Sequence, residues 1–241
     1  MTDISPPVSR RKTVILGGSR GIGAALVRQF AADGAAVVFT YAGSQDAAAA
    51  LAAETGARPL RVDSADRAAL TAAIIAEGPI DILLVNAGAL VLGDPLALDA
   101  EAVDRMIDVN VRAPYFAAVE AARSMPDGGR ILIIGSTNGD RIPFAGGAAY
   151  AMTKSALQGM VRGLARDFGA RGITVNSIQP GPTDTDMNPA DGPMADMMHG
   201  FMAIPRHVHA SEIAGYAAFL ASPAAAMITG SMQTIDGGFA A

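Results

Sequence analysis

The chain has 241 residues, 18 Lys plus Arg against 23 Asp plus Glu, a net charge of −5 and 51% hydrophobic residues. That length allows one large or two small domains, and that apolar fraction excludes a disordered or coiled-coil chain. Mild acidity gives no footprint for a nucleic-acid polymer, and zero cysteine excludes disulfides, thiolate metal sites and a cysteine nucleophile. The opening MTDISPPVSRRK lacks a signal-peptide core, and no run of about 18 apolar residues would span a membrane, so a soluble cytoplasmic protein is expected.

Residues 1–11 read as a short flexible tail, with Pro6-Pro7 and Arg10-Arg11 outside any periodic pattern. Strand-like apolar runs then follow at 13–16, 37–41, 59–62, 81–85, 130–135, 173–178 and 232–235. Helical segments fall between them at 21–33, 46–54, 66–77, 100–125, 150–169 and 211–221, many rich in the chain's 50 alanines. Strands that are apolar throughout are expected where helices cover both sheet faces. Alternation with helices implies parallel pairing through right-handed crossovers. The expectation is one doubly wound, Rossmann-type α/β domain over 12–241 with a seven-stranded, mostly parallel sheet. The stretch 183–210, rich in Met, Pro, Gly and Asp, is too long for an ordinary connection and reads as a mobile substrate lid.

Gly17-Gly18-Ser19-Arg20-Gly21-Ile22-Gly23 lies between the first strand and the first helix. Glycine there permits a sharp turn and close approach of a phosphate, and the helix start beyond it offers free N–H groups and a positive dipole end. Tyr150 and Lys154 stand four apart on a helix and so share a face. An ammonium beside a phenol would favour phenolate and ease proton exchange, although the same spacing also suits an exposed pair without a role. Ser136 lies at the end of a strand, where the ligand crevice of an open α/β sheet opens.

The spacing Gly17, Gly21, Gly23 resembles that of the short-chain dehydrogenase/reductase family, and four further motifs carry the resemblance from Lys12 to Gly238. These are Asn86-Ala87-Gly88, with Val85 where the family has a first Asn; Asn110; Ser136 with Tyr150-Ala-Met-Thr-Lys154; and Pro180-Gly181-Pro182-Thr183-Asp184-Thr185. Leu16 replaces the family's usual Thr before the first glycine, so a turn-stabilising hydroxyl is missing there. Within the classical subfamily the chain is similar to 3-oxoacyl-carrier-protein reductases. The segments 135–141 and 188–194 make it more similar to the cyclic-di-GMP-binding biofilm-dispersal subgroup.

The resemblance implies Tyr150 as general acid or base, Lys154 holding the nicotinamide ribose and lowering the tyrosine pKa, Ser136 binding the substrate oxygen, and Asn110 positioning a water that relays protons. It implies cofactor contacts at Gly17, Ser19, Arg20, Gly21, Ile22, Gly23, Tyr41, Ser44, Asp63, Ser64, Asn86, Ala87, Gly88, Tyr150, Lys154, Pro180, Gly181, Thr183 and Thr185. It also implies a homotetramer joined through the helices at 100–125 and 150–169. NAD enzymes usually place an acid at the end of the second strand, but Thr40-Tyr41-Ala42-Gly43-Ser44 has none, and Arg20 suits a 2′-phosphate, so NADP(H) is expected.

Asp63-Ser64 could instead cap the next helix. His207 and His209 fit a surface loop better than a metal site, and no metal is expected. Met187, Met194, Met197, Met198 and Met202 suit an adaptable lid or ordinary packing. Arg141 and Arg206 could meet an anionic substrate, although solvated charge explains each alone. Two functions stay open: reduction of a small carbonyl substrate, and binding of cyclic di-GMP by a regulator with little or no turnover.

Overall fold

The computed structural model of the chain describes residues 11–241. Its strands are β1 (Lys12–Leu16), β2 (Ala36–Tyr41), β3 (Arg58–Arg61), β4 (Ile82–Val85), β5 (Arg130–Ile134), β6 (Thr174–Pro180) and β7 (Met232–Ile235). Among the described residues these form one sheet in the order β3-β2-β1-β4-β5-β6-β7. Every neighbouring pair is parallel, so the expected mostly parallel sheet is parallel throughout. The chain runs outward from β1 to β3 and then returns to β4, so the direction of winding reverses between β1 and β4. Their carboxyl ends define the crevice in which such sheets bind ligands.

The helices are α1 (Gly21–Ala32), α2 (Gln45–Thr55), α3 (Arg67–Glu77), α4 (Ala100–Ile107), α5 (Ala113–Ser124), α6 (Ala148–Phe168), α7 (Ala195–His199) and α8 (Ala210–Ala221). Successive strand residues face opposite sides. Val14, Leu16, Leu83, Val85, Ile131 and Ile133 therefore pack with α3, α5 and α6 in one core layer. Ile15, Phe39, Ile82, Leu84, Leu132 and Ile134 pack with α1, α2 and α8 in the other. No helix among the described residues is long and apolar enough to cross a membrane.

Four local readings change. The single helix expected at 100–125 is interrupted by a wide π-helical turn, Asp108–Arg112, which carries Asn110. The cap of α3 is Asp66, whose carboxylate accepts from Ala69 N at 3.0 Å, while Asp63 closes the preceding turn by accepting from Ala65 N. Residues 1–10 of the expected tail lie outside the described residues, but Arg11 belongs to the domain. It is 2% exposed and donates to the carbonyls of Ala221, Asp81 and Gly128, because a guanidinium can satisfy several carbonyls at once. The segment 183–210 is also partly built into the fold: it contains α7, a bridge between Thr183 and Val208, and the buried side chains of Met202 and His207.

Candidate active site

The glycine loop is shaped by close backbone approach. Gly17 has φ +75°, and a Cβ there would stand 2.7 Å from the Ala87 Cα. A Cβ on Gly18 would meet the Phe39 Cβ at 2.5 Å, and one on Gly23 would meet the Gly17 carbonyl oxygen at 2.0 Å. Only hydrogen fits at these positions. The Asn86 amide donates to the Gly17 oxygen at 2.7 Å, so that side chain braces the loop. The hydroxyl missing at Leu16 is supplied from the neighbouring strand: Thr40 Oγ1 accepts from Gly17 N at 3.0 Å. Arg20 precedes α1 in extended conformation and makes no capping bond with its side chain, and the first turn of α1 holds no acid. The positive end of that helix thus faces the crevice without a side-chain anion of its own.

A second clamp lies at the end of β4. Asn110 is 1% exposed, and its side-chain oxygen accepts from Ala89 N at 2.8 Å. Its amide donates to Ala89 O at 2.9 Å and to Thr153 Oγ1 at 3.0 Å. Thr153 in turn donates to Tyr150 O. Asn110 therefore joins the segment after β4 to α6. Both amide hydrogens are thus committed to protein, which fixes the position of Asn110.

Tyr150 and Lys154 share a face of α6 as the spacing requires. The Lys154 ammonium lies 5.7 Å from the Tyr150 ring centroid and donates to Ile134 O, its one acceptor among the described residues. Burial pushes Lys154 down to about 8. Burial also raises the Tyr150 phenol, against the smaller lowering effect of a hydrogen bond with Ser136. Desolvation of the phenolate, rather than the neighbouring lysine, is thus the largest influence on the phenol. Ser136 accepts from Asn138 N at 3.1 Å and sits at the head of the loop leading to Tyr150. A Cβ on Gly88 would find Asn110 Oδ1 at 3.7 Å and Lys154 Nζ at 3.8 Å, so Gly88, Asn110, Lys154, Tyr150 and Ser136 form one cluster.

The other expected residues are distributed around this cluster. Pro180 ends β6 and its carbonyl accepts from Thr137; Gly181 donates to Ile235 O, and Thr183 donates to Gly181 O. Thr185 packs over the glycine loop, its Cγ2 3.0 Å from where a Cβ on Gly21 would be. Tyr41 is half-buried at the end of β2, and Ser44 precedes α2 without capping it. The hydrogen bond from Ala65 N, and after it the pairing with Arg105 at 2.9 Å, hold the Asp63 carboxyl below the usual range. Ser64 is buried beside it.

Several polar residues take structural partners instead of the roles considered for them. Arg206 forms a two-pronged pair with Glu212, and Arg141 donates to the carbonyls of Phe239 and Ala241. His209 caps α8, whereas His207 is buried rather than on a surface loop, its Nδ1 2.8 Å from His199 Nε2. Met187, Met194 and Met197 are exposed and Met202 is buried.

Sequence reasoning missed Gly18, Thr40, Thr153 and Gln179. Gln179 donates to Ser136 O and to Asp140, tying β6 to the serine. The available signal was a polar residue inside an otherwise apolar strand, as at Thr40 in Ala-Val-Val-Phe-Thr-Tyr. Replacing Gly23 with Ala should lower the unfolding free energy by about 3 kcal/mol through overpacking against Gly17. Urea denaturation checks this, and unchanged stability would contradict the described loop.

A family model described as Enoyl-(Acyl carrier protein) reductase matches residues 17–240. The chain is 64% identical over 231 residues to the Cyclic-di-GMP-binding biofilm dispersal mediator protein of Escherichia coli (strain K12), covering 95% of this chain and 98% of that one. It is 34% identical over 236 residues to the 3-oxoacyl-[acyl-carrier-protein] reductase MabA of Mycobacterium bovis, covering 97% and 94%. The crystal structure of BdcA in complex with NADPH superposes with a TM-score of 0.95 at 62% identity, covering 97% of this chain and 96% of that one. Together with the site geometry, these matches show that the chain belongs to the short-chain dehydrogenase/reductase family.

Proposed function

We propose that the protein reduces a small carbonyl compound with NADPH, using Tyr150 as the proton donor. The observation that carries this reading is the cluster of Tyr150, Ser136 and Lys154 beside the glycine loop at the carboxyl ends of β1, β4 and β5. The residues fit the cofactor. Lys154 is a buried ammonium with one acceptor among the described residues, so it has N–H groups left for ribose hydroxyls. Gly17, Gly21 and the start of α1 suit a pyrophosphate, and the exposed Arg20 suits a 2′-phosphate that no acid at Tyr41 would repel. A related solved structure holds NADPH.

When bound, NADPH supplies the hydride. The chain supplies the proton and the positioning. Burial keeps the Tyr150 phenol protonated at neutral pH, the state needed to give a proton to a carbonyl oxygen. Ser136, hydrogen-bonded with Tyr150, is placed to hold that same oxygen. Lys154, pushed down to about 8 by burial, keeps most of its charge at neutral pH and so remains a donor for the ribose hydroxyls. Asn110 acts as a positioning residue by fixing Ala89 and Thr153. Leu90 and Leu92 in the segment that follows β4, and Met187, Met194, Met197 and Ile204 in the segment that follows β6, are exposed, which supports an apolar substituent on the carbonyl compound. We also infer a homotetramer built on α5 and α6, supported by exposed Tyr115 and Met152 and by the open surface over Gly159 and Gly163.

A second reading, sequestration of cyclic di-GMP, is favoured by one observation, the name of the 64% identical relative. The intact Tyr150, Lys154 and Ser136 set supports the first, since binding alone has no use for a proton donor. Arg141 and Arg206 are committed within the chain, so neither offers an unpaired guanidinium to the phosphates of cyclic di-GMP. Calorimetric titration with NADPH, NADH and cyclic di-GMP separates the readings. NADPH should bind at least about tenfold tighter than NADH, a gap of about 1.4 kcal/mol. Arg20→Ala should erase most of it, and equal affinities in the unmutated protein would contradict the assignment.

Tyr150→Phe keeps the ring and removes the proton donor. It should leave NADPH affinity unchanged and lower the carbonyl reduction rate by about 10²–10⁴-fold. Activity retained within a few-fold would place the proton elsewhere.

A further inference from the structure

Asp186 stands at the tip of a tight turn. Thr185 N donates to Asn188 O at 3.3 Å and Asn188 N donates to Thr185 O at 3.0 Å, so residues 185–188 close on themselves. The turn is anchored before and after its tip. Asp184 accepts from Ala190 N at 3.0 Å, and Thr185 Cγ2 lies 3.0 Å from the Cβ position of Gly21. The Asp186 carboxylate is thereby carried over the glycine loop, where it reaches Arg20 Nη1 at 3.8 Å. Both side chains are well exposed, at 61% and 72%, so a stronger anion can take the arginine away.

We infer that Asp186 is a specificity-determining residue that competes with the 2′-phosphate of NADP(H) for Arg20. The inference rests on the assignment of Arg20 under the proposed function and adds a residue on the far side of the crevice that sets how strongly that assignment is felt. The carboxylate carries one negative charge and a phosphate monoester about two, so the cofactor wins the exchange but binds less tightly than to a free arginine. NADH brings no 2′-phosphate and leaves the Arg20–Asp186 pair in place. The pair therefore weakens NADPH selectively and narrows the preference that Arg20 creates.

The test is a double-mutant cycle read by calorimetric titration of NADPH and NADH at low and high salt. Asp186→Asn should tighten NADPH binding by about two- to fivefold, the range an exposed ion pair supports, and leave NADH unchanged. The gain should vanish in an Arg20→Ala background and shrink at high salt. Asp191→Asn, which removes a charge elsewhere in the same segment, should change neither affinity. If Asp186→Asn tightens NADPH and NADH equally, or Asp191→Asn reproduces the effect, the carboxylate acts by general repulsion and the inference is overturned. If Arg20→Ala collapses the NADPH preference while Asp186→Asn leaves it unmoved, the inference alone fails. If Arg20→Ala leaves the preference intact, the inference and the assignment of Arg20 fall together.

Discussion

The Gly17 carbonyl is held in a space with no room for a side chain. The Asn86 amide donates to it at 2.7 Å from one side, and on the other Gly23 comes so near that a Cβ would stand 2.0 Å away. This contact fixes the ends of β1 and β4 against the first turn of α1. It turns the reversal of sheet winding into a defined crevice. Thr40 completes the arrangement from β2 by accepting from Gly17 N, so three adjacent strands determine the shape of one loop.

The same short segment after β4 serves the proton-transfer cluster. Asn86 braces the glycine loop, and three residues later Ala89 is gripped through both its N–H and its carbonyl by Asn110. Asn110 also bonds Thr153 on α6, one residue before Lys154 and three after Tyr150. These are buried or part-buried amide bonds, and leaving one partner unpaired costs about 1–3 kcal/mol. The π-helical turn that carries Asn110 is thus retained by what its side chain holds. Loop and cluster are positioned by one stretch of chain, residues 86–89, and a displacement of either is felt by the other.

Much of this was legible in the sequence, because each legible part depends on local pattern. Strand and helix order followed from apolar runs and their breaks, and the sheet became parallel throughout because both faces are covered. The glycines at 17, 21 and 23 and the pair Tyr150 and Lys154 were visible by spacing. What escaped depends on partners far along the chain. The Thr40 hydroxyl that replaces the one missing at Leu16 comes from 23 residues away, and the burial of Arg11 depends on carbonyls at Ala221 and Gly128. Spacing put Lys154 on the face of Tyr150 but could not show that the ammonium turns to Ile134 O, nor that desolvation dominates the phenol. The commitment of Arg206 to Glu212 and of His207 to His199 likewise depends on how 183–210 folds back, which no periodicity records.

The claim that the cofactor loop and the catalytic cluster share one support is tested most directly by NADPH affinity in a double-mutant cycle between Asn86→Ser and Asn110→Ser. The two side chains do not touch the same partner, so independent supports would give additive losses. The shared segment 86–89 predicts a coupling of about 0.5–3 kcal/mol, the double variant losing less than the sum of the single ones. Losses that add to within about 0.3 kcal/mol would contradict the account.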